Sequence, residues 1–412
     1  MNLDLLKIKK VFFIGIGGIG ISALAQMVKS QGIEAIGLND EEIGKTLNTL
    51  KGEGIEVVFL KDFVDLPKAD MYVYSDAWIY RGPEILESAR ATGKPVLSYF
   101  EALGEFAKKY KVIAISGTHG KTTTTAMVAD ILIEAGLDPT VIVGSFVKKF
   151  SSNFKAGKGE YLVVEADEFN RHMLYFHPYI GAITNIEADH LDVYKDLADI
   201  QNAFDKFLAQ SENKVTDYSK YLDKVPKLLV PGEHNRKNGA VALAVADILS
   251  IEEGIAQKSL ANFAGTWRRL EKRGITEAGT IVYDDYAHHP TEVKASLKAL
   301  RDLYPDKKII VVFQPHLYSR TKAFFEQFVE SFDDADQVYF LPVYFAREAP
   351  DPTVSSEKLA EAVKIRGKDS LSGSFAEATA YFQGLPLGEN DVFVTMGAGE
   401  AYKIADEALK FV

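Results

Sequence analysis

The chain has 412 residues, too many for one ordinary domain, so two or three are expected. Its 47% hydrophobic and 25% charged residues are the balance of a soluble globular protein; the net charge of -11 comes with no basic block, so nucleic acid is not an expected partner. The absence of cysteine excludes disulfides, thiolate metal sites and cysteine nucleophiles, and fits a cytoplasmic enzyme.

Lys7, Lys9 and Lys10 precede an apolar stretch, 11–28, that imitates a signal peptide, but glycines at 15, 17, 18 and 20 interrupt it. A strand at 11–14, a turn and a helix at 21–31 stopped by Gly32 account for the same residues. No run of about 20 apolar residues lacks glycine or charge, so no membrane span is expected. Strands follow at 34–38, 57–59, 71–74 and 95–97. The turn Gly15-Ile16-Gly17-Gly18-Ile19-Gly20 fits GxGxxG after a strand, with Asp40 near the end of the next strand. Such a turn opens a helix N-terminus to a diphosphate, either of a dinucleotide with Asp40 on its ribose or of a UDP-sugar.

The second stretch opens with a strand at 112–116, then Gly117-Thr118-His119-Gly120-Lys121-Thr122-Thr123-Thr124-Thr125, then a helix at 126–135 closed by Gly136. Strand, glycine-rich turn, Lys-Thr and helix make a nucleotide phosphate cradle. The glycines admit the phosphates, Lys121 reaches the terminal ones and the Thr122 hydroxyl ligates Mg²⁺. The spacing departs from a standard Walker A turn, whose first glycine would fall at Ile115. Strands are expected at 161–164 and 179–184, with helices near 197–209 and at 238–249. The segment 210–226 is polar and without periodicity.

Glu165-Ala166-Asp167-Glu168 closes one of these strands, and Glu165 is the expected Mg²⁺ ligand. Thr184-Asn185-Ile186-Glu187-Ala188-Asp189-His190-Leu191-Asp192 closes the next, where His190 is placed to ligate metal or contact substrate. Asn235 is an N-cap candidate, and Asn235 with Asn238 could also read an adenine edge.

The third stretch follows Trp267-Arg268-Arg269, a junction from which an arginine could be carried onto phosphate. Strands at 280–283, 308–313, 337–341 and 391–395 alternate with helices near 291–303, 321–332 and 355–364. Asp284-Asp285-Tyr286-Ala287-His288-His289-Pro290 and Gln314-Pro315-His316-Leu317-Tyr318-Ser319-Arg320 end neighbouring strands. This gathers His288, His289, His316 and Arg320 on one edge, with Arg320 able to clamp a carboxylate. Gly397-Ala398-Gly399-Glu400 closes the last strand on the same rim. Alternating strands and helices predict an α/β fold with parallel sheets.

In order, the 117–123 turn, the 184–192 segment, His234-Asn235 with Asn238, and 284–292 resemble the Mur ligases of peptidoglycan synthesis over nearly the whole chain. The resemblance implies an N-terminal Rossmann-like domain for UDP (1–108), a central P-loop ATPase-type domain (109–267) and a C-terminal Rossmann-like domain for the amino acid (268–412). It implies an enzyme that uses ATP and Mg²⁺ to join L-alanine to the lactyl carboxylate of UDP-N-acetylmuramate through an acyl phosphate, acting in the cytoplasm as a monomer or homodimer.

Carried over residue by residue, it assigns ATP to Gly117, Thr118, His119, Gly120, Lys121, Thr122, Thr123, Asn235 and Asn238, with Asp284 or Asp285 near the ribose. Metal falls to Thr122, Glu165 and His190. The UDP-sugar falls to Gly15, Gly17, Gly18, Ile19, Gly20, Asp40 and Ser75. Lys121, His190 and the pair Arg268 and Arg269 serve the reaction, while His288, His316 and Arg320 hold L-alanine.

Three places depart from the family's pattern. The central domain is shortened near 210–231, Leu317 stands where many relatives have arginine, and Ser75-Asp76-Ala77-Trp78 differs from Ser-Ser-Ala. Glycine, serine or a preformed peptide remain as alternative acceptors. Two further readings are a nucleotide-binding scaffold without catalysis and, resting only on GxGxxG and Asp40, a nicotinamide oxidoreductase.

Overall fold

A computed structural model describes residues 4–190, 193–345 and 348–410. Its first sheet is parallel throughout: β1 (Lys10–Ile14), β2 (Glu34–Asn39), β3 (Glu56–Phe59), β4 (Met71–Tyr74) and β5 (Val96–Ser98), in the order β3-β2-β1-β4-β5. The order reverses between β1 and β4. Such a switch point opens a crevice beyond the strand C-termini, where ligands bind.

The second sheet contains β6 (Lys111–Ser116), β7 (Thr140–Val147), β8 (Ser152–Lys155), β9 (Tyr161–Glu165), β10 (Ile180–Ile183) and β11 (Asn213–Val215), in the order β11-β10-β6-β9-β7-β8. Only β8 runs antiparallel, as a hairpin on β7. The third sheet contains β12 (Glu271–Ile275), β13 (Ile281–Asp285), β14 (Lys308–Phe313), β15 (Gln337–Phe340), β16 (Asp369–Ser372) and β17 (Asp391–Met396), in the order β12-β13-β17-β14-β15-β16, with β12 antiparallel. Central strands such as β6, β9 and β14 are nearly unbroken apolar runs because helices cover both faces of a parallel sheet.

Two compact units result: Met1–Pro226 with Asn238–Asn262, and Lys227–Lys237 with Phe263–Val412. The first unit holds two sheets rather than one. A buried polar knot joins them: Asn153 on β8 donates to the Ile19 carbonyl at 2.5 Å and to Ser22 Oγ at 2.9 Å, and accepts from Gln26 Nε2 at 3.0 Å. These bonds hold the helix Ile19–Ser30, which follows the glycine turn, against the hairpin β7–β8.

Several elements differ from expectation. The helix after the phosphate turn is Lys121–Glu134, so Thr122 to Thr125 lie inside it. Threonine is a weak helix former, but Thr125 Oγ1 donates to the Lys121 carbonyl at 2.8 Å and the burial of this face favours helix. The helix expected at 238–249 is Glu233–Ile248, so Asn235 lies in its first turn and is not its N-cap. The aperiodic 210–226 segment contains the edge strand β11 and the short 3₁₀ turn Ser219–Lys224. Among the described residues, no helix is long and apolar enough to cross a membrane.

Candidate active site

The turn after β6 is built by its glycines and by the end of β10. Gly117 (φ 132°) and Gly120 (φ 81°) occupy positive-φ backbone. A Cβ on Gly117 would lie 2.1 Å from Thr184 Oγ1, and one on Gly120 would lie 2.3 Å from Asn238 Oδ1. The His119 amide donates to Asn185 Oδ1 at 3.0 Å, while Thr184 Oγ1 (2.6 Å) and Asn185 Nδ2 (3.0 Å) donate to the His119 carbonyl. Thr184 and Asn185 are thus the frame of the turn. Thr118 and Glu187 add a second tie, the Glu187 amide donating to Thr118 Oγ1 at 2.9 Å.

Lys121 Nζ donates to the Gly117 carbonyl at 2.8 Å, the Thr118 carbonyl at 3.1 Å and Glu168 Oε2 at 2.6 Å. Burial alone would lower the ammonium pKa, but the carboxylates of Glu168, Asp167 and Glu165 outweigh it and hold the pKa above its usual value. A permanently charged lysine therefore sits inside a turn shaped for anions. Thr123 is also buried in this helix.

Thr122 Oγ1 lies 3.0 and 2.9 Å from the two Glu165 carboxylate oxygens, and Glu165 Oε2 also accepts from the Gly144 amide at 2.9 Å. A hydroxyl and a carboxylate side by side are hard oxygen donors, the set that Mg²⁺ prefers. His190 (φ 53°) stands on the other side of Glu168, with Nε2 3.4 Å from Glu168 Oε1 and 3.7 Å from Asp189 Oδ2. Burial opposes charge on this ring, but Glu168 and Asp189 raise its pKa above the usual histidine value. His190 thus faces two carboxylates, and it would ligate a metal through its neutral ring. Leu191 and Asp192 of the same motif lie outside the described residues.

The sequence reading chose Glu165 from its acidic run and passed over Glu168, which joins Lys121 to His190. Spacing could have flagged it, because Glu168 is the other glutamate of a run that ends a strand beside the turn.

At the switch point of the first sheet, Gly15, Gly17, Gly18, Asp40 and Ser75 line a cavity of about 210 Å³ together with Trp78 and Arg81. Ile19 and Gly20 open the adjoining helix, which has no side-chain N-cap. The Asp40 carboxylate is already engaged, 2.7 Å from Arg81 Nη1. The glycines make room for side chains as well as for any ligand. A Cβ would meet Trp78 at Gly15 (2.2 Å), Asn39 at Gly17 (2.7 Å) and Tyr99 at Gly20 (2.8 Å).

In the second unit, three of the expected site residues have partners within the fold. Arg268 is buried and its guanidinium is committed: Nε donates to Asp284 Oδ2 at 2.7 Å, Nη1 to the Gly399 carbonyl at 3.0 Å and Nη2 to the Gly397 carbonyl at 2.6 Å. It locks β13 to the end of β17. Asp284, which also accepts from Thr395 Oγ1 at 2.6 Å, is the partner in that lock. Asp285 is likewise interior, accepting from Ser296 Oγ, and burial first of all pushes its pKa up to about 6.

Arg269 has a different placement, its guanidinium 4.9 Å from the centre of the Tyr286 ring. His289 caps the helix Pro290–Leu303, Nδ1 accepting from the Thr291 amide at 3.3 Å.

The expected histidine–arginine group does assemble. The His288 and His316 rings are 5.8 Å apart, His316 stacks on Tyr344 at 5.6 Å, and Arg320 Nη1 is 3.2 Å from His316 Nδ1. Leu317, between them, adopts φ 68°, and its amide donates to the Tyr344 carbonyl at 2.9 Å. Asn235 Nδ2 donates to the Pro231 carbonyl at 2.7 Å in this unit, whereas Asn238 stands beside Gly120 in the first.

Three family models match in succession: the Mur ligase family catalytic domain at 10–111, the Mur ligase middle domain at 115–219, and the Mur ligase glutamate ligase domain at 268–399. The chain belongs to the Mur ligase family. The UDP-N-acetylmuramate–L-alanine ligase of Clostridium acetobutylicum is 37% identical over 97% of this chain and 97% of its own. That of Desulfosudis oleivorans is 35% identical over 98% of each, and its alignment runs over 454 positions against 412 residues here, so this relative carries segments without a counterpart.

Among solved structures, the UDP-N-acetylmuramate–alanine ligase of Thermotoga maritima superposes with a TM-score of 0.81 at 28% identity, covering 97% of this chain and 98% of that one. A murein peptide ligase of Psychrobacter arcticus shares the fold, with a TM-score of 0.68 at 21% identity over 98% of each chain.

Proposed function

We propose that this chain is a cytoplasmic ATP-dependent ligase that joins L-alanine to the lactyl carboxylate of UDP-N-acetylmuramate. The observation that carries the reading is the charged Lys121, held by two turn carbonyls and Glu168 beside the Thr122–Glu165 pair. Full-length similarity to ligases of that name supports the choice of substrates.

The chemical difficulty is to bring a carboxylate onto a triphosphate. Two unit charges ~4 Å apart repel by ~4 kcal/mol at an effective dielectric of ~20, and a triphosphate multiplies this. Lys121 neutralises the terminal phosphates once they take the place of Glu168, and the amides of the turn hold the rest. Thr122 and Glu165 would hold Mg²⁺, which would supply further positive charge there. The diphosphate of the sugar nucleotide faces the helix start at Gly18, and its uridine occupies the cavity beside Ser75 and Trp78.

A lactyl carboxylate oxygen forms a bond to the γ-phosphorus as the bond to ADP breaks. The neutral amine of L-alanine, its carboxylate on Arg320 and its approach bounded by His288 and His316, then attacks the acyl carbon. Phosphate leaves with the electron pair, and the proton that the amine gives up passes to that departing phosphate. Aligning the amine with the acyl phosphate is worth up to ~7–11 kcal/mol of the barrier.

The test is phosphate release measured with an amino-acid panel. Release should require ATP, Mg²⁺, UDP-N-acetylmuramate and L-alanine together, with glycine, serine and the preformed tripeptide as poorer acceptors. Release indifferent to the muramate would overturn the reading, and a preference for the tripeptide would reassign the acceptor.

A further inference from the structure

Tyr99 is the first residue of the helix Tyr99–Ala107, directly after β5, at the strand ends that face ligands in an open α/β sheet. Its start is set by a capping box in which Ser98 Oγ accepts from the Glu101 amide at 3.3 Å and the Glu101 carboxylate accepts from the Ser98 amide at 2.7 Å. The phenol end lies over Gly20: a Cβ there would be 2.8 Å from Cε1 and Cζ and 2.9 Å from the hydroxyl.

The ring also packs edge-on against Phe100 at 4.5 Å, and Phe100 stacks on His172 at 3.9 Å. His172 Nε2 in turn lies 3.1 Å from Asp76 Oδ2. The phenol is therefore fixed in place, yet its hydroxyl has no hydrogen-bond partner among the described residues. Burial, with the Glu165 and Asp167 carboxylates, holds its pKa well above the usual phenol range, so it remains a donor at any working pH.

Tyr99 thus stands between two features of one unit: the helix start behind the glycine turn and the acidic end of β9 beside Thr122. On the ligase reading, on which this inference rests, the part of the substrate that must span them is the N-acetylmuramyl group. We propose that the Tyr99 hydroxyl donates a hydrogen bond to the lactyl carboxylate of UDP-N-acetylmuramate and aims it at the γ-phosphate. A neutral donor suits this place. It stabilises an incoming carboxylate beside Glu165 and Asp167 without forming a competing ion pair with them.

The experiment compares wild type with Tyr99→Phe, which removes one oxygen and keeps the ring over Gly20. Affinities are measured calorimetrically for UDP, UDP-N-acetylglucosamine (which lacks the lactyl group) and UDP-N-acetylmuramate, and kcat and KM are measured in the complete reaction. The expected result is a loss of roughly tenfold for UDP-N-acetylmuramate, the value of one hydrogen bond to a charged group, with UDP and UDP-N-acetylglucosamine changed by less than about twofold. KM for ATP should stay unchanged. Equal losses for all three ligands, or none for the muramate, would overturn the assignment while leaving the ligase reading intact. Failure of the wild type to bind or consume UDP-N-acetylmuramate would remove both.

Discussion

Arg268 and Asp284 form a buried ion pair, Nε to Oδ2 at 2.7 Å, whose remaining valences are taken by Thr395 and by the carbonyls of Gly397 and Gly399. Removing one partner of such a pair strands the other charge without solvent and costs roughly 3–5 kcal/mol. Arg268→Ala should therefore destabilise the protein visibly in thermal unfolding. Arg269→Ala should lose turnover out of proportion to any loss of stability, by roughly 100-fold or more if its charge acts in the transition state. Equal effects of the two substitutions on both readouts would reverse this division of roles.

Lys121→Ala is expected to abolish phosphate release, and it should also lower the unfolding temperature by a few degrees. Glu168 is almost wholly buried and would lose its lysine partner, keeping the contact with the His190 ring. Adding Glu168→Gln to Lys121→Ala should restore much of the stability and none of the turnover. Appreciable turnover in either variant would displace Lys121 from the phosphate site.

Arg320 meets His316 at 3.2 Å and is itself buried. If it clamps the amino-acid carboxylate, Arg320→Ala should raise KM for L-alanine, or lower kcat/KM if the contact tightens in the transition state, with KM for ATP little changed. Titrating alanine at saturating ATP and muramate measures this, and an unaltered alanine dependence would take Arg320 out of the site.

Asp130 lies buried in the helix Lys121–Glu134 with Lys149 no closer than 3.9 Å, and burial pushes its pKa up to about 6 from 3.8. Because the folded-state pKa is raised, folding favours the protonated acid. The group costs nothing below about pH 4, its cost grows as pH rises from about 4 to about 6, and it stays constant above that. Asp130→Asn should therefore raise the unfolding temperature at pH 8, by about 1–3 kcal/mol in stability, and change it little near pH 4. A gain that is the same at both pH values would contradict the burial argument.

Much of the local design was readable from the chain. A β-rich apolar run, glycines at the turn, Lys-Thr and a following helix are a short-range pattern, and the turn, Thr122–Glu165 contact and histidine–arginine rim stand where it put them. The helix start at Lys121 was not readable, because four successive threonines argue against helix until their burial is known. The frame supplied by Thr184 and Asn185 was legible only as polar residues at a strand end.

The sequence alone determined which residue types stand at strand ends and turns, since those depend on neighbours a few positions away. Only the tertiary structure decided which of two adjacent like residues does what. Successive side chains on a strand point to opposite faces, and β13 is covered on both, so Asp284 and Asp285 were drawn into separate interior contacts. Arg268 followed Asp284 inward because Gly397 and Gly399, far along the chain, bring their carbonyls to it. Likewise, Trp78, Asn39 and Tyr99 fill the space left by the glycine turn, and their distance in sequence hides that fit until the sheet is assembled.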